Sequence, residues 1–121
     1  MSVFLQSKGR WLDENALAFC IDQKGYEVSP GHCLVCPKRH VPTVFDMTDE
    51  EWGACVDLVC RSKVRLDRDK KPDGYNVGIN CGQVAGQTVD HAHIHIIPRY
   101  AGDDPDPRGG IRACVPGGKV Y

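Results

Sequence analysis

Three histidines in the last third of the chain are separated by single residues. His91, His93 and His95 alternate with Ala92 and Ile94. Residues two apart in a β-strand share a face, so this spacing predicts three exposed imidazoles on one face and small or apolar side chains, suited to packing, on the other. A row of histidines contributes little to a hydrophobic core, which makes a purely structural role a poor explanation. The row therefore predicts site chemistry.

Two kinds of chemistry fit such a row. The first is metal binding, because histidines two apart on a strand can share one ion, with His32 as the only further ligand that we identify. The predicted histidine strand itself supplies no carboxylate. The second is nucleophilic catalysis, in which a neutral imidazole attacks phosphorus while its neighbours supply protons or hydrogen bonds. The histidines alone leave both interpretations open.

A glycine-rich loop directly before the histidines favours the second interpretation. Residues 81–89 read CGQVAGQTV. Glycines let backbone amides approach a ligand, and Thr88 adds a hydroxyl, so the loop predicts a cradle for phosphate oxygens. Its position would place the bound anion beside the attacking nitrogen, as in-line phosphoryl transfer requires.

The surrounding sequence predicts the elements that hold these residues. Apolar runs at residues 15–21 and 32–36 predict two neighbouring strands, and alternation at residues 75–79 predicts another. A helix is predicted from Thr48, which forms a capping box with Glu51. The apolar residues that follow at helical spacing are Trp52, Cys55, Val56, Val59 and Cys60. Beyond Tyr100 the chain is rich in Gly, Pro and Asp, which predicts an irregular tail over about residues 101–121.

Composition narrows the class of protein. The chain has 121 residues, 41% of them hydrophobic and 26% charged, which predicts one globular domain over residues 1–121. A formal net charge of −1 gives no drive toward nucleic acid or anionic membranes. We see neither a membrane span nor a signal peptide, and therefore expect a cytoplasmic protein. Seven cysteines, an odd count in mostly apolar strings, predict reduced and largely buried thiols.

The histidine row with its flanking residues, HAHIHII at residues 91–97, resembles the signature of the histidine triad family. PGHCLVCPKRH at residues 30–40, GYNVGINCGQVAGQTV at 74–89 and HIIPRYAGD at 95–103 are also similar to that family, particularly to its fragile-histidine-triad-like bacterial members. The resemblance covers nearly the whole chain. It implies an α+β fold, an antiparallel sheet with one long helix, and a homodimer in which two protomers form one continuous sheet.

The resemblance also implies a two-step reaction on a nucleotide. His93 would attack the α-phosphorus to form a nucleotidyl-histidine intermediate, which water or another acceptor then releases. His95 would contact the phosphate and leaving group, His91 would position the middle imidazole, and His32 would support the triad. The implied substrates are dinucleoside polyphosphates or nucleoside phosphoramidates. The residues that would hold substrate are Asn80, Gly86, Gln87, Thr88 and Val89, and residues 108–110 would lie near the neighbouring protomer's site.

The chain departs from the family pattern at the ribose-binding position. Counting back from His32, that position carries Lys24, with Asp22 two residues earlier, so the sequence leaves open which of the two meets the ribose. No cysteine occurs in residues 1–19, and Cys33 and Cys36 are at odd spacing on a strand, so we predict no structural metal and no cofactor. His40 follows Lys38 and Arg39, which predicts a solvated loop residue outside the site.

Three functions are compatible with the sequence. The leading one is a nucleotide hydrolase or transferase that works through His93. The second is a nucleotide-binding module without useful turnover. The third is a metal-dependent hydrolase that uses the histidine cluster.

Overall fold

The computed structural model describes residues 2–119, so the last two positions of the predicted tail lie outside the described residues. The sheet and helices follow the order expected for an α+β domain. They are α1 (Val3–Gln6), β1 (Trp11–Glu14), β2 (Ala18–Asp22), β3 (Cys33–Pro37), α2 (Asp49–Asp69), β4 (Gly74–Ile79) and β5 (Ile94–Arg99). Short 3₁₀ segments lie at Lys8–Arg10, Val44–Asp46, Gln83–Ala85 and Gly110–Cys114.

One antiparallel sheet holds all five strands, in the order β1-β2-β3-β5-β4. β3 and β4 run in the same direction on either side of β5, because α2 carries the chain back along the sheet between them. The glycine-rich loop then reverses the chain into β5. The predicted α+β architecture, with one antiparallel sheet and one long helix, is confirmed. The expected pairing of two sheets across a homodimer stays a prediction, and β4 is an edge strand in the described protomer.

The long helix α2 covers one face of the sheet. Its N-terminus has the predicted capping box, in which the Thr48 hydroxyl accepts the Glu51 N–H at 3.1 Å and the Glu51 carboxylate accepts the Thr48 N–H at 2.9 Å. The apolar spacing predicted from the sequence is confirmed in part, since Cys55 is buried and Trp52 and Val59 pack partly buried against the core. Val56 is 53% exposed and Cys60 is also exposed. The side chains that face the sheet are Glu51, Cys55, Leu58, Ser62 and Leu66.

A prediction about stability follows from this packing. Leu58 is fully buried between α2 and the sheet. Leu58→Ala removes apolar contacts and leaves a cavity, so the free energy of unfolding should fall by about 2–5 kcal/mol in urea denaturation. Val64→Ala is the matched control because Val64, on the same helix, is 70% exposed; its effect should stay within about 0.5 kcal/mol. Similar losses for both variants would contradict this packing.

The other face of the sheet carries a smaller apolar cluster. Phe4 from α1 packs there with residues of β2 and β3, and the Trp11 ring stacks on Phe19 with centroids 3.9 Å apart. The Trp11 Nε1–H also donates to the Phe4 carbonyl at 3.2 Å. These contacts fix the N-terminal segment over the sheet. The cluster consists of Phe4, Phe19, Ile21, Leu34 and Cys36.

Strand register places one histidine beside this second cluster. His95 of β5 lies opposite Leu34 of β3 on one side and Gly78 of β4 on the other. Directly opposed residues share a sheet face, so His95 projects from the face that carries Phe4 rather than the face covered by α2. The second face of the sheet is therefore where a site can form.

The histidine row does not lie in one strand, contrary to the sequence prediction. β5 begins only at Ile94, and residues 90–93 form a bend with irregular backbone. The Ala92 N–H donates to the Val41 carbonyl at 2.8 Å, which ties this segment to the loop after β3 rather than to β4. His91 is fully buried and His93 only 6% exposed, so the expectation of three exposed imidazoles is also wrong.

Residues 101–119 consist of turns and one 3₁₀ segment. The Gly110–Cys114 segment lies against β4 of the same chain, where a Cβ placed on Gly78 would be 3.4 Å from Ile111 Cδ1. The tail thus packs on its own sheet. A reach of residues 108–110 to a neighbouring protomer stays a prediction.

Thiol burial follows the sequence prediction in part. All seven cysteines are free thiols, and four of them, Cys20, Cys33, Cys36 and Cys55, are buried. Cys60 and Cys114 are exposed. Within residues 2–119, no helix combines the length and the apolar character needed to cross a bilayer.

Candidate active site

A cavity of about 510 Å³ lies on the second face of the sheet. His93 and His95 form one part of its wall, and apolar residues of the small cluster, Phe4 and Leu34 among them, form another. The predicted substrate residues that line it are Asp22, Asn80, Gly86, Thr88 and Val89. Side chains from distant parts of the sequence are therefore brought to one concave surface of nucleotide size.

Among residues 2–119, the hydrogen bonds of His93 use only one of its two ring nitrogens. Its Nδ1 lies 2.7 Å from the His91 carbonyl oxygen. A carbonyl only accepts, so neutral His93 carries its proton on Nδ1, and Nε2 keeps an unshared lone pair. The Phe4 ring packs edge-on against the imidazole with centroids 5.2 Å apart. His93 is thus held in one orientation with the electron pair that a nucleophile needs.

A hydrogen bond from His32 fixes His95 in the tautomer opposite to that of His93. The Val28 N–H donates to His32 Nδ1 at 3.1 Å, so the neutral His32 ring carries its proton on Nε2. That Nε2–H donates to His95 Nδ1 at 3.0 Å. Neutral His95 must then carry its own proton on Nε2. The pair supplies a neutral N–H donor on the histidine that lines the cavity beside His93.

Burial keeps these imidazoles neutral. It is the main cause that lowers the pKa of His93, and the hydrogen bond to the His91 carbonyl opposes it only in part. Burial, followed by repulsion from His93 and His32, lowers the pKa of His95 to about 4. Burial also lowers the pKa of His32, against the attraction of Glu27. Near neutral pH the cavity therefore holds lone pairs and N–H donors rather than imidazolium ions.

His91 lies behind the cavity wall and does not line it. Its Nε2–H donates to the Pro37 carbonyl at 2.7 Å, and its own carbonyl accepts from His93. Burial is the main cause that lowers its pKa. His91 therefore orients the middle imidazole through its backbone, and its ring anchors this segment to the end of β3.

Two residues that support the histidines, His40 and Phe4, were not predicted from the sequence. The exposed His40 ring stacks on His91 with centroids 4.9 Å apart, and its Nε2–H donates to the Asp90 carbonyl at 2.6 Å. It supports the bend that carries His91 and His93. The contact of Phe4 with His93 spans most of the chain, so no local pattern indicates it.

The glycine-rich loop has the backbone that its composition predicts. Gly82 and Gly86 have φ of 88° and 97°, values at which a side chain would be strained. Gln87, predicted to hold substrate, does not line the cavity. Its side chain bonds to the Gly82 N–H at 2.8 Å and donates to the carbonyls of Pro42 and Val89 at 2.6 and 3.0 Å. Gln87 thus braces the loop.

The structure separates Asp22 from Lys24. Asp22 ends β2 and lines the cavity with His93 and His95, whereas Lys24 is exposed and lies outside it. Tyr26, in the same connection between β2 and β3, is 82% exposed and also borders the cavity. The aromatic ring has no counterpart among the sequence predictions.

The geometry of the histidines gives little support to a metal site. Within residues 2–119, no group of three His, Cys, Asp or Glu side chains converges as a metal site. The His32 hydrogen bond also places a proton on His95 Nε2, the nitrogen that would otherwise ligate beside His93. Ligation by both histidines would require that proton to be lost or moved.

Comparison with known proteins identifies a matching family model and similar proteins. The HIT domain model matches residues 13–102. An uncharacterised HIT-like protein of Methanocaldococcus jannaschii is 42% identical over 94 residues, covering 75% of this chain and 67% of that protein. The bis(5'-adenosyl)-triphosphatase of Dictyostelium discoideum is 49% identical over 72 residues, 60% of this chain and 48% of the relative.

A solved structure agrees with the sequence relationship. The crystal structure of a HIT family protein from Bacillus anthracis matches with a TM-score of 0.77 and 30% identity, covering 85% of this chain and 76% of that one. This chain spans only about half the length of the Dictyostelium triphosphatase. The matched family model nevertheless covers most of this chain and includes the whole histidine row. The chain therefore belongs to the HIT, or histidine triad, domain family.

Proposed function

We propose that this protein is a nucleotide hydrolase or transferase in which His93 attacks the α-phosphorus of a dinucleoside polyphosphate or nucleoside phosphoramidate. The observation that carries the proposal is the matched tautomer pair. His93 keeps a free lone pair on Nε2, while His95 beside it carries a proton on Nε2. The related Dictyostelium protein is named a bis(5'-adenosyl)-triphosphatase, which supports a dinucleoside polyphosphate as substrate.

The first step forms the bond between His93 Nε2 and the α-phosphorus and breaks the bond from phosphorus to the leaving group. His95 Nε2–H contacts the phosphate or donates its proton to the departing atom. In the second step, water or another acceptor attacks the same phosphorus, and His93 leaves as a neutral imidazole. The attacking group gives its proton to His95 Nε2 where that nitrogen protonated the leaving group, and otherwise to solvent. Thr88 would hold a non-bridging oxygen through its hydroxyl. The Gly86 N–H is used within the loop, where it donates to the Gln83 carbonyl at 2.9 Å.

The direct test is mononucleotide release by the purified protein. Diadenosine triphosphate, diadenosine tetraphosphate and adenosine 5'-phosphoramidate would each be incubated with it, with and without EDTA. We expect AMP from at least one substrate, at a rate that the chelator leaves unchanged. Loss of the activity with EDTA and its return with added zinc would favour the metal-dependent hydrolase. Tight AMP binding without release from any substrate would favour the nucleotide-binding module.

The pH dependence of this activity has a definite sign. His93 attacks only when neutral, and burial lowers its pKa from the ordinary value of 6.5. The kcat/KM should therefore be flat above about pH 6.5 and fall at lower pH, about tenfold per unit below the apparent pKa of the coupled histidines. An activity that falls already at or above pH 6.5, or stays flat to pH 4, would contradict this assignment.

The predicted fall of kcat/KM at low pH needs a control for unfolding. The unfolded chain binds protons at its histidines at higher pH than the folded chain, whose histidine pKa values are lowered. Protonation therefore favours unfolding as the pH falls below about 6.5. Circular dichroism at each pH would show whether the protein is still folded where its activity is lost.

A further inference from the structure

Arg10 reaches from the segment before β1 to the end of β2, on the wall of the cavity. Its Nε–H donates to Asp22 Oδ1 at 2.9 Å, and its terminal nitrogen donates to the same oxygen at 2.5 Å and to the Asp22 carbonyl at 3.1 Å. The guanidinium thus donates hydrogen bonds to both the side chain and the backbone of Asp22. Such a two-pronged contact fixes the direction of the carboxylate as well as its charge.

The two oxygens of the Asp22 carboxylate are used differently. Oδ1 accepts from Arg10 and, at 3.2 Å, from the Lys24 N–H. Among residues 2–119, no group donates a hydrogen bond to Oδ2. An ionised carboxylate only accepts hydrogen bonds, so the free oxygen suits a ligand that brings hydroxyl or amine donors.

The position of Asp22 Oδ2 in the cavity indicates which part of a ligand would donate to it. The cavity has apolar walls that include Ile21 and Leu34, which suit a base, and the histidines that suit a phosphate. Asp22 lines the same cavity as these apolar residues and the histidines, so its free oxygen can meet the part of a nucleotide that joins base to phosphate. That part is the ribose, whose vicinal hydroxyls are both donors.

The ion pair has little value as a structural contact. The side chains of Arg10 and Asp22 are 40% and 35% exposed, and pairs of that exposure contribute little to stability. A guanidinium also offsets the repulsion between a carboxylate and an incoming phosphate. Both features favour a role toward ligand. The small contribution to stability also allows Arg10 to be replaced without loss of the fold.

We propose that Arg10 is a positioning residue that holds Asp22 so that its free oxygen accepts hydrogen bonds from the ribose hydroxyls of the bound nucleotide. The proposal rests on the proposed function, since it assumes a nucleotide in this cavity. Arg10 acts through Asp22 rather than on the reacting phosphorus. It therefore governs the preference for ribose over a sugar without hydroxyls, and leaves the reactivity of His93 unchanged.

The test measures binding and turnover on the full chain. The dissociation constants of AMP and 2',3'-dideoxy-AMP would be measured by calorimetry for wild type, Arg10→Ala and Arg10→Lys. Wild type should favour AMP by about tenfold or more, the discrimination expected when a charged acceptor loses its donors. Arg10→Ala should bring the two ligands within about twofold, and Arg10→Lys should lie between, because an ammonium keeps the charge but not the fork.

Matched variants separate positioning from charge and from folding. Arg61→Ala removes a guanidinium of similar exposure that pairs with Asp13 and Asp57 away from the cavity, and should leave the ribose preference unchanged. In an Asp22→Asn background, Arg10→Ala should add less than about twofold, because the carboxylate it orients is gone. With substrate, Arg10→Ala should raise KM while kcat changes by less than about threefold.

The outcomes distinguish this proposal from the proposed function. A wild-type preference that survives in Arg10→Ala, or an equal loss of affinity for both ligands, would overturn the role of Arg10 while mononucleotide release still stands. An Arg10-dependent ribose preference without any turnover would uphold the positioning role and overturn the catalytic proposal. Absence of binding to either nucleotide would overturn both.

Discussion

His93→Ala should lower kcat/KM for mononucleotide release by a factor of about 10⁴ or more, since it removes the atom that forms the bond to phosphorus. Other groups of the cavity would still bind substrate, so KM should change far less than kcat. Initial rates of AMP release from the best substrate, with enzyme in large amount for the variant, give both numbers. A loss smaller than about tenfold would contradict a nucleophilic role for His93.

The covalent intermediate provides a second readout of the same prediction. Rapid quenching in base, which preserves phosphorus–nitrogen bonds, followed by peptide mass spectrometry should find one nucleotidyl group on the wild-type peptide that contains His93. His93→Ala should show none. His93→Asn serves as a control for packing, because its amide can still donate toward the His91 carbonyl that accepts from His93 Nδ1. It should fold as wild type does and remain inactive.

The parts of the fold that local sequence determines were predictable. The capping box of Thr48 and Glu51 marks the start of α2 because both hydrogen bonds form within one turn of chain. The positive φ values of Gly82 and Gly86 follow from residue type and loop composition. The spacing of the three histidines likewise indicates a site, because imidazoles in a row have little use in a core.

Long-range contacts account for what the sequence could not determine. Alternation predicts a strand from residue 91 onward, but β5 begins at Ile94 because the segment before it bonds to the loop after β3 at Val41. Burial of His91 depends on the rings of Phe4, Phe19 and His40, which lie far away in the sequence. No periodicity within one segment contains that information.

The residue at the ribose-binding position could not be predicted from the sequence either. Counting residues from His32 gives Lys24 at the expected place, but the connection between β2 and β3 determines which side chain turns inward. In the folded chain Asp22 lines the cavity and Lys24 does not. The contact of Arg10 with Asp22 joins the segment before β1 to the end of β2 and depends on the pairing of these two strands, which no local pattern encodes.

His95→Ala should have an effect that depends on the leaving group. Neutral His95 carries its proton on Nε2 because His32 donates to its Nδ1. That proton assists most when the departing atom is basic, so the loss in kcat/KM should be about 10²–10³ for adenosine 5'-phosphoramidate, whose leaving amine must be protonated. For the p-nitrophenyl ester of AMP, whose leaving group is stable as an anion, the loss should be about tenfold or less.

The contrast between these two substrates separates proton donation from simple phosphate binding. If His95 only contacted the phosphate, both substrates would lose activity equally, because the phosphate is the same in each. His32→Ala supplies the matched variant, since it removes the donor that fixes the His95 tautomer but leaves the His95 ring in place. It should show the same dependence on the leaving group with a smaller loss, because His95 can then hold its proton on either nitrogen.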